Sequence, residues 1–479
     1  MAGAGKLQWA VLEDTPSTFS SPPSVPSSEA SGPEGEMKLE TVMQKTTIAS
    51  DSKDEEDAMP VTVFEGLHPN DATAQVSVTG AKDSIYKAAE TFPDLKLTKE
   101  LLDGVYAMKF VTPSKIQAQA LPIILAEKRP NFIGQAHHGS GKTAAYALSM
   151  LTRVDTTKQV PQCLCVCPVR ELAKQVVDVV KQLGKYTRVT VLEAIPGSDR
   201  DEVTSHIVVG TPGTILNKIR YKQFNPASII MFVLDEADEM VAKQGLGDQT
   251  VQLKNYMPRS CQIVLFSATF PDKVASFVKV VAPNAVTTIV KREELSLDNV
   301  AQFAIDCGAE SRKYQALTNL YGLLNLGQAI IFVHTVKTAK ELTNRMRQEG
   351  YTVSILHGKD MDMAQRDKTM NDFRTGKSTI LITTNVLARG IDVLQVMLVV
   401  NYDVPLDRFN KPDPETYIHR IGRSGRFGRK GVAINLVADE RSKTDLRAIE
   451  NYFKKPIKGL HMDNFAAIEE AVKIALGKK

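Results

Sequence analysis

The sequence predicts an α/β protein in which two tandem parallel-sheet lobes follow a disordered N-terminal extension. Short runs rich in β-branched residues alternate with helical stretches, which is the pattern of a parallel sheet covered by helices. This alternation occurs twice along the 479 residues, and each half is long enough to build its own core. The composition before residue 76 is different and does not continue the pattern.

The N-terminal extension, residues 1–75, is rich in small polar residues and in acidic residues. From Pro16 to Pro33, twelve of eighteen residues are Ser or Pro, and an acidic cluster runs from Asp51 to Asp57. Such a segment cannot bury enough apolar surface to offset the entropy lost on ordering. We therefore predict that it is disordered.

Charge is distributed unevenly along the chain. Residues 1–90 contain six Lys, no Arg and fifteen Asp plus Glu, which gives −9, whereas the whole chain has a net charge of +4. The remainder therefore carries +13. A basic body favours a polyanionic partner, although scattered surface charge could give the same count.

The predicted strands are short apolar runs that end where polar motifs begin. In the first lobe they are Asn131–Gln135, Gln162–Cys167, His206–Gly210, Ile229–Asp235 and Gln262–Ser267. In the second lobe they are Ala329–His334, Thr352–His357, Thr379–Thr384, Met397–Tyr402 and Val432–Val437. We expect the first lobe to span 76–290 and the second 299–479, with a linker at 291–298.

Other features exclude several classes of protein. No apolar run approaches the ~18 residues of a membrane span, so no membrane insertion is expected, and the N-terminus lacks the pattern of a secretory signal. Cys163, Cys165 and Cys167 alternate in an apolar run, which favours one face of a buried strand over a metal or redox site. Five cysteines make no disulfide framework, so we expect a reducing compartment.

A phosphate-binding loop is predicted between the first strand and the helical run that follows it. Gly139 and Gly141 allow backbone N–H groups to turn toward phosphate oxygens, Lys142 reaches the β- and γ-phosphates, and the Thr143 hydroxyl binds Mg²⁺. The candidate nucleotide-binding residues of this loop are Ala136, His137, His138, Gly139, Ser140, Gly141, Lys142 and Thr143. A chance Gly-Lys-Thr turn is the alternative, which the strand–loop–helix context disfavours.

The second half of a nucleotide hydrolysis site is expected at the end of an apolar strand. Asp235 follows such a strand and is predicted to hold Mg²⁺, and Glu236 is predicted to orient and deprotonate the attacking water. An acidic helix N-terminus explains the same residues without any chemistry. The phosphate-binding loop in the same lobe favours the catalytic interpretation.

Asp235-Glu-Ala-Asp238 resembles the tetrapeptide that names the DEAD-box RNA helicases, and the likeness extends from about Ile85 to Leu460. The resemblance implies two RecA-like domains, RNA-dependent ATP hydrolysis, and ATP with Mg²⁺ at the first lobe. It also implies that Gln117 recognises adenine and that Phe92 stacks on it. The amide of Gln117 offers a donor beside an acceptor, which suits adenine and not guanine.

Further motifs carry implied roles in RNA binding and in coupling ATP to RNA. The resemblance assigns RNA contacts to Pro168, Arg170, Gly197, Thr211, Gly213, Arg366, Thr384 and Gly390. It assigns coupling of the nucleotide state to lobe closure to Ser267, Thr269 and His419. Some positions depart from the family pattern, among them Val169, Thr214 and Met363, and Val169 lacks the hydroxyl that the family pattern offers to RNA.

The second lobe is implied to complete the ATP site. In Tyr417-Ile-His-Arg-Ile-Gly-Arg-Ser-Gly-Arg426, Arg423 and Arg426 correspond to arginine fingers on the phosphates, and Asp392 corresponds to a ribose contact. Such a finger is typically worth ~10³–10⁵ in rate. A basic solvated loop is the alternative, and the regular Gly spacing argues against it.

Within the family the chain is similar to the messenger-RNA export subgroup of the nuclear pore. Ile85-Tyr86, the run Gly104–Met108 and the insertion Arg408–Thr416 carry this likeness. It implies single-stranded RNA or messenger ribonucleoprotein as substrate, with an export factor, inositol hexakisphosphate and a nucleoporin as partners. It also implies a monomer in cytoplasm and nucleus, at the cytoplasmic face of the pore.

Two other functions are compatible with the same motifs. The first is an ATP-gated RNA clamp that closes and turns over little. The second is a generic DEAD-box RNA helicase outside messenger-RNA export. A DNA-translocating motor is disfavoured by Gln117 and by Ser267-Ala-Thr269.

Overall fold

The chain folds around two twisted sheets, one in each predicted lobe. The structure, a computed structural model, describes residues 76–79, 87–136, 139–198, 202–242, 245–290, 299–323, 327–358, 361–385, 396–425 and 430–477. The described residues in 76–290 form the first lobe, and those in 299–477 form the second lobe. The predicted disordered extension and the predicted linker lie outside the described residues, and the domain boundaries stay predictions.

The first sheet carries parallel strands and one antiparallel edge strand. Its strands are β1 (Val76–Thr79), β2 (Phe132–Gln135), β3 (Cys163–Val166), β4 (Val191–Ala194), β5 (Ile207–Gly210), β6 (Met231–Leu234), β7 (Gln262–Ser267) and β8 (Val286–Val290). They lie in the order β1-β8-β2-β7-β6-β3-β5-β4, and only the β1–β8 pair among them is antiparallel. The four strands β2, β7, β6 and β3 are therefore central and have neighbours on both sides.

Helices connect these strands and cover both faces of the first sheet. They are α1 (Lys99–Ala107), α2 (Lys115–Ile124), α3 (Lys142–Arg153), α4 (Arg170–Leu183), α5 (Pro212–Arg220), α6 (Ala237–Ala242), α7 (Leu246–Tyr256) and α8 (Asp272–Val281). Successive side chains of a strand point to opposite faces, so Cys163 and Cys165 join one core cluster and Leu164 and Val166 the other. The prediction that these cysteines lie on a buried strand is confirmed.

The second sheet is entirely parallel in its described strands. Those strands are β9 (Val300–Asp306), β10 (Gln328–Phe332), β11 (Val353–Leu356), β12 (Ile380–Thr383), β13 (Val396–Asn401), β14 (Gly431–Val437) and β15 (Lys458–His461), in the order β11-β12-β10-β13-β14-β9-β15. Its helices are α9 (Lys313–Leu323), α10 (Val336–Gln348), α11 (Met363–Arg374), α12 (Pro414–Ile421), α13 (Glu440–Phe453) and α14 (Phe465–Leu476).

All ten predicted strands are confirmed, with ends that differ by at most two residues. The strands that the sequence did not reveal lie at or near sheet edges: β1, β4, β8, β9 and β15. Edge strands need fewer apolar residues because one side meets water, and β15 is mostly exposed. Among the described residues, each helix is too short or too polar to serve as a membrane span.

Candidate ATP and RNA site

The phosphate-binding loop joins β2 to α3, as the sequence predicted. Gly139 and Gly141 have φ of 77° and 93°, in the left-handed region where residues with a Cβ are strained. A Cβ on Gly141 would lie 2.5 Å from Nε2 of Gln117 and 3.0 Å from Oγ of Ser114. The loop therefore needs glycine both for its backbone conformation and for its close approach to α2. His137 and His138 lie outside the described residues.

Lys142 begins α3 and is buried beside carboxylates. Its Nζ donates a hydrogen bond of 2.6 Å to the carbonyl of Ala136, at the opposite end of the loop. Burial lowers the pKa of Lys142, and the carboxylates of Asp235 and Glu236 oppose that shift. The ammonium thus links the two ends of the loop and is influenced by the carboxylates of Asp235 and Glu236.

Gln117 occupies the third position of α2 and closes a capping box. Its backbone N–H donates to Oγ of Ser114, and its Oε1 accepts from the backbone N–H of Ser114 at 2.9 Å. Its Nε2 donates to the carbonyl of Gly141 at 3.1 Å. The predicted adenine-binding amide is therefore fixed by α2 and joined directly to the phosphate-binding loop, which the sequence did not reveal.

Phe92 is a core residue in this structure. Its relative exposure is 0%, and it belongs to the apolar cluster on one face of the first sheet. Stacking on adenine requires an accessible ring face. The stacking role therefore stays a prediction, and it requires the segment around Phe92 to move.

Asp235 directly follows β6, and its carboxylate accepts a hydrogen bond from a buried tyrosine. Oδ2 of Asp235 accepts a hydrogen bond of 2.8 Å from the hydroxyl of Tyr146. Burial raises the pKa of Asp235, and the Lys142 ammonium opposes the shift. Tyr146 was missed by sequence reasoning, because an aromatic residue inside an apolar helix reads as core.

Thr143 and Asp235 fit the chemistry of a magnesium site. Mg²⁺ prefers hard oxygen ligands and usually keeps several waters. Thr143 and Tyr146 are three residues apart on α3, and the Tyr146 hydroxyl donates to Asp235. The Thr143 hydroxyl and the Asp235 carboxylate therefore both lie beside the first turns of α3. Carboxylate and hydroxyl oxygens next to a glycine-lined loop suit a nucleotide with its metal ion.

Glu236 has a backbone conformation that most residues avoid. Its φ is 51°, and this left-handed geometry costs roughly 1–3 kcal/mol for a residue other than glycine. Its carbonyl accepts the N–H groups of Glu239 and Met240, which start α6. The side chain is 3% exposed. Burial lowers the pKa of Lys142, and the negative charge of Glu236 opposes that shift. The predicted base is therefore buried at the phosphate end of the site.

Asp238 connects the acidic motif to the predicted coupling residues. Its Oδ2 accepts from the hydroxyl of Thr269 at 2.8 Å and from the Thr269 N–H at 3.3 Å. The Asp238 N–H donates to Oγ of Ser267 at 3.2 Å, and that Oγ donates to the carbonyl of Thr269 at 2.8 Å. Ser267 and Thr269, predicted separately from Asp238, thus form one hydrogen-bonded group with it.

His419 of the second lobe reaches the same carboxylate. Its Nε2 lies 2.9 Å from Oδ2 of Asp238, and both side chains are fully buried. A carboxylate accepts, so the Nε2 carries the proton. His419 also accepts, through its carbonyl, a 3.0 Å bond from Nε of Arg423. Arg423 is 3% exposed, and its charge lowers the pKa of Lys142.

Arg420, beside His419, is a structural residue within the same motif. Its guanidinium donates to the side chains of Asn385 and Asn401 and to the carbonyl of Asp403. Burial lowers the pKa of Arg420 to about 9, so it remains charged at neutral pH. It anchors α12 to the ends of strands in the second sheet. Arg426, Gly390 and Asp392 lie outside the described residues.

The predicted RNA-binding residues lie at the carboxyl ends of parallel strands. Pro168 follows β3, Gly197 follows β4 with φ of 88°, and Thr211 follows β5 and caps α5, whose first turn contains Gly213. Thr384 follows β12 in the second lobe. Ligands of such sheets bind at these ends.

Two predicted RNA-binding arginines are engaged with the opposite lobe instead of being open to solvent. Arg170 donates to Oδ2 of Asp367 at 2.9 Å and to the carbonyl of Met363 at 3.4 Å. Nη1 of Arg366 lies 3.7 Å from Oε1 of Glu171. These pairs could not be predicted from the sequence, because a contact between two lobes leaves no periodic pattern.

Comparison with known proteins supports the same identification. Residues 114–277 match the DEAD/DEAH box helicase family, and residues 312–428 match the helicase conserved C-terminal domain. An ATP-dependent RNA helicase, dbp5 of Schizosaccharomyces pombe, is 46% identical over 449 residues, which cover 90% of this chain and 89% of that protein. The likeness therefore includes both lobes.

Two solved structures are also similar. S. cerevisiae Dbp5 bound to RNA and ADP BeF3 has a TM-score of 0.79 at 48% identity and covers 81% of this chain and 100% of that chain. A S. cerevisiae Dbp5 variant bound to Nup159, a Gle1 variant, IP6 and ADP has a TM-score of 0.61 at 45% identity and covers 80% of this chain and 100% of that chain. The chain belongs to the DEAD-box family of ATP-dependent RNA helicases, which hydrolyse ATP, and it is similar to the yeast Dbp5 proteins.

Proposed function

We propose that this RNA helicase closes its two lobes on ATP and RNA, and that it remodels messenger ribonucleoprotein particles during export through the nuclear pore. The observation that carries the closure mechanism is the 2.9 Å contact between His419 and Asp238. It joins the second lobe to the acidic motif that follows β6 of the first lobe. A residue of one lobe can therefore sense the state of the nucleotide bound to the other.

ATP binds at the first lobe in this proposal. Gln117 recognises adenine, the glycines of the loop admit the phosphates, and Lys142 exchanges its bond to Ala136 for the β- and γ-phosphates. Thr143 and Asp235 are the residues that would hold Mg²⁺. Bound Mg²⁺ supplies positive charge that neutralises the phosphates.

Hydrolysis requires residues of both lobes. Glu236 orients the attacking water and accepts its proton, and Lys142 holds the γ-phosphate in line. Arg423 and Arg426 supply positive charge from the second lobe, and Asp392 contacts the ribose. Because positively charged fingers act only when they reach the phosphates, hydrolysis depends on closure.

Coupling runs through Asp238. When His419, Ser267 and Thr269 all engage this residue, the end of β7 and the start of α12 are held at the acidic motif. Loss of the γ-phosphate alters the position of the motif and weakens this group. Closure and reopening then follow the nucleotide cycle.

RNA binds across both lobes, mainly by its sugar–phosphate backbone. Turn residues at the ends of β4, β5 and β12 offer backbone N–H and hydroxyl groups for phosphate oxygens. The predicted contacts are Pro168, Arg170, Gly197, Thr211, Gly213, Arg366, Thr384 and Gly390. Sequence preference is weak for such contacts, and contacts to the 2′-OH select RNA over DNA.

Similarity to solved complexes supports the closed arrangement. At nearly equal identity, the TM-score is 0.79 against Dbp5 bound to RNA and ADP BeF3 and 0.61 against the complex that holds ADP, Gle1, IP6 and Nup159. The higher score against the complex with RNA supports the proposed closure on RNA and nucleotide.

The export role rests on the same relatives. The dbp5 likeness spans nine-tenths of the chain, and a similar Dbp5 forms complexes with Gle1, IP6 and Nup159. We infer that this helicase acts in cytoplasm and nucleus at the cytoplasmic face of the pore. An export factor with inositol hexakisphosphate and a nucleoporin are its proposed partners.

The closure mechanism is tested by His419→Ala. We expect ATP binding to be retained and the RNA-stimulated ATPase rate to fall at least tenfold, because the contact with Asp238 is lost. His461→Ala is the matched control, since His461 is exposed and pairs with Asp463 in its own lobe. Equal RNA-stimulated rates in both variants would contradict the mechanism.

The export role is tested by adding Gle1 and inositol hexakisphosphate to the same ATPase assay. Stimulation by the pair supports the proposal. Absence of a response reduces the chain to a generic RNA helicase. RNA-dependent closure without turnover in any condition identifies an RNA clamp.

A further inference from the structure

An ion cluster bridges the two lobes at one edge of the predicted RNA surface. Oδ2 of Asp367 in α11 lies 2.9 Å from Nη2 of Arg170 and 2.9 Å from Nζ of Lys174, both in α4. These three residues are called the inter-lobe cluster below. One carboxylate oxygen of the second lobe thus serves two cations of the first.

Burial within the inter-lobe cluster is uneven. The side chain of Arg170 is 9% exposed, that of Lys174 33% and that of Asp367 42%. Partial burial raises the pKa of Asp367, but hydrogen bonds from Lys174 and Arg170 outweigh it and lower the pKa below its usual value. The carboxylate is therefore ionised at neutral pH, and the buried guanidinium depends on it for compensation.

The cluster belongs to two facing helix surfaces. Arg170, Lys174 and Asp178 are spaced four residues apart and share one side of α4. Burial raises the pKa of Asp178, and the charge of Arg374 in α11 opposes that shift. Arg366 lies near Glu171 in addition. Opposite charges therefore alternate along both helices where the lobes meet.

The inter-lobe cluster adjoins a predicted RNA contact. Arg170 also donates to the carbonyl of Met363 at the start of α11. Sδ of Met363 would lie 3.8 Å from a Cβ on Gly197, the positive-φ glycine after β4. The same contact surface thus positions Arg170, the start of α11 and the turn predicted to hold RNA.

We propose that Asp367 is a positioning residue for RNA-dependent closure: its carboxylate holds Arg170 and Lys174 of the first lobe when the lobes meet beside bound RNA. The inference rests on the proposed function, because it requires that the lobes part and close. Asp367 has no role in the sequence motifs considered above.

Electrostatics explains why this links closure to RNA. The two ion pairs of Asp367 join residues of different lobes, so they form only when the lobes meet and they stabilise the closed arrangement. In the proposed function, RNA contacts both lobes and binds the closed arrangement. A larger closed population therefore lowers the RNA concentration that is needed for activation.

The first test compares Asp367→Asn with Asp372→Asn in the full-length protein. Asp372 lies on the same helix, is 29% exposed and has Lys377 of its own lobe at 4.0 Å. We expect Asp367→Asn to raise the RNA concentration for half-maximal ATPase about three- to tenfold, the scale of one or two partly exposed ion pairs. Asp372→Asn should leave it unchanged.

Closure is followed directly in the same variants by energy transfer. All five cysteines are buried, so dyes can be attached selectively at Lys273→Cys and Lys337→Cys, one in each lobe. Asp367→Asn should need more oligouridine than the parent to reach the same transfer at saturating non-hydrolysable nucleotide. A lower RNA requirement would overturn the proposal, because Asp367 would then compete with RNA for Arg170.

A charge exchange separates pairing from folding. Lys174→Glu and Asp367→Lys should each weaken RNA activation, and the double variant should lose less than the sum of the two single losses. The pair between positions 174 and 367 is then rebuilt in reverse, although Arg170 still lacks the carboxylate of Asp367. Additive losses in the double variant would overturn the proposal. If the parent shows no closure with nucleotide and RNA, the proposed function fails. If the parent closes and the variants need the same RNA concentration as the parent, the role of Asp367 fails.

Discussion

Glu236 combines a strained backbone with a buried carboxylate, and both features follow from its position between β6 and α6. Its φ of 51° allows its carbonyl to start α6 while its side chain remains beside Lys142. Strain of this kind is held only where the surrounding structure determines it, often at active sites. The geometry therefore agrees with the role predicted for Glu236 as the base.

Replacement Glu236→Gln removes the basic oxygen and keeps the shape of the side chain. We expect lobe closure on ATP and RNA to persist and kcat to fall about 10²–10⁴-fold, the usual contribution of a general base. The measurement is single-turnover ATP hydrolysis with RNA, beside energy transfer between the lobes. A normal hydrolysis rate would show that another group accepts the proton.

Tyr146 is the residue whose substitution tests the magnesium site most simply. Tyr146→Phe removes the hydroxyl that donates to Asp235 and leaves the ring in the core. We expect the Mg²⁺ concentration for half-maximal ATPase to rise several-fold. Loss of one buried hydrogen bond should also lower the free energy of unfolding by about 1 kcal/mol.

Thermal unfolding and a Mg²⁺ titration check that prediction independently. Ser149→Ala is a suitable control, because the Ser149 hydroxyl lies on the same helix and bonds only the carbonyl of Ala145 among the described contacts. It should affect stability and not the Mg²⁺ requirement. An unchanged Mg²⁺ requirement in Tyr146→Phe would mean that Asp235 is oriented without the hydroxyl.

Residues predicted from motifs are largely found together, whereas their supporting partners are not predictable from the sequence. Lys142, Asp235 and Glu236 lie in one site, as expected. The supporting contacts join distant residues: Tyr146 and Asp235 are 89 positions apart, and His419 and Asp238 are 181 positions apart. No local pattern encodes such distances. Phe92 is packed in the core of the first lobe, and its predicted stacking on adenine stays a prediction.

At the scale of elements, the phosphate-binding loop and α2 act as one unit. Gln117 caps its own helix and donates to Gly141, so the adenine-recognition segment cannot shift without moving the loop. The sequence predicted each segment separately. The link between them depends on side-chain hydrogen bonds that spacing alone does not indicate.

Gly141→Ala tests this unit, and Gly350→Ala is a matched control. Gly141 has φ of 93° and Gly350 has φ of 90°, so each substitution costs about 1–2 kcal/mol in backbone strain. Only at Gly141 would the Cβ collide, at 2.5 Å from Gln117; nothing lies within 4 Å at Gly350. We expect loss of ATP binding in Gly141→Ala alone, measured by nucleotide titration. Equal ATP affinities in the two variants would contradict the claim that the loop and α2 act as one unit.

Strand prediction succeeded in the sheet interiors and at the edge strand β11, and the strands that it missed lie at or near the other edges, for a physical reason. Central strands such as β3 and β6 are buried on both faces and therefore appear as continuous apolar runs. In contrast, β4 is half-buried and β15 mostly exposed, so their composition differs little from that of loops. Their pairing partners, not their own residues, define them as strands.

At the scale of the molecule, polar contacts join the two lobes within the part of the chain that the structure describes. His419 reaches Asp238 at the ATP site, and Asp367 reaches Arg170 beside the RNA turn. The sequence predicted two lobes and the residues of each site, yet it contains no signal for how the lobes face one another. That arrangement depends on long-range contacts between residues about 180–200 positions apart.

The central claim is that ATP and RNA together draw the two lobes into one catalytic site. Energy transfer between dyes at Lys273→Cys and Lys337→Cys in the full-length protein tests it most directly. The account predicts that transfer changes only when a non-hydrolysable ATP analogue and oligouridine are both bound, and that ADP reverses the change. Unchanged transfer, under conditions where titrations demonstrate that both ligands bind, would contradict it.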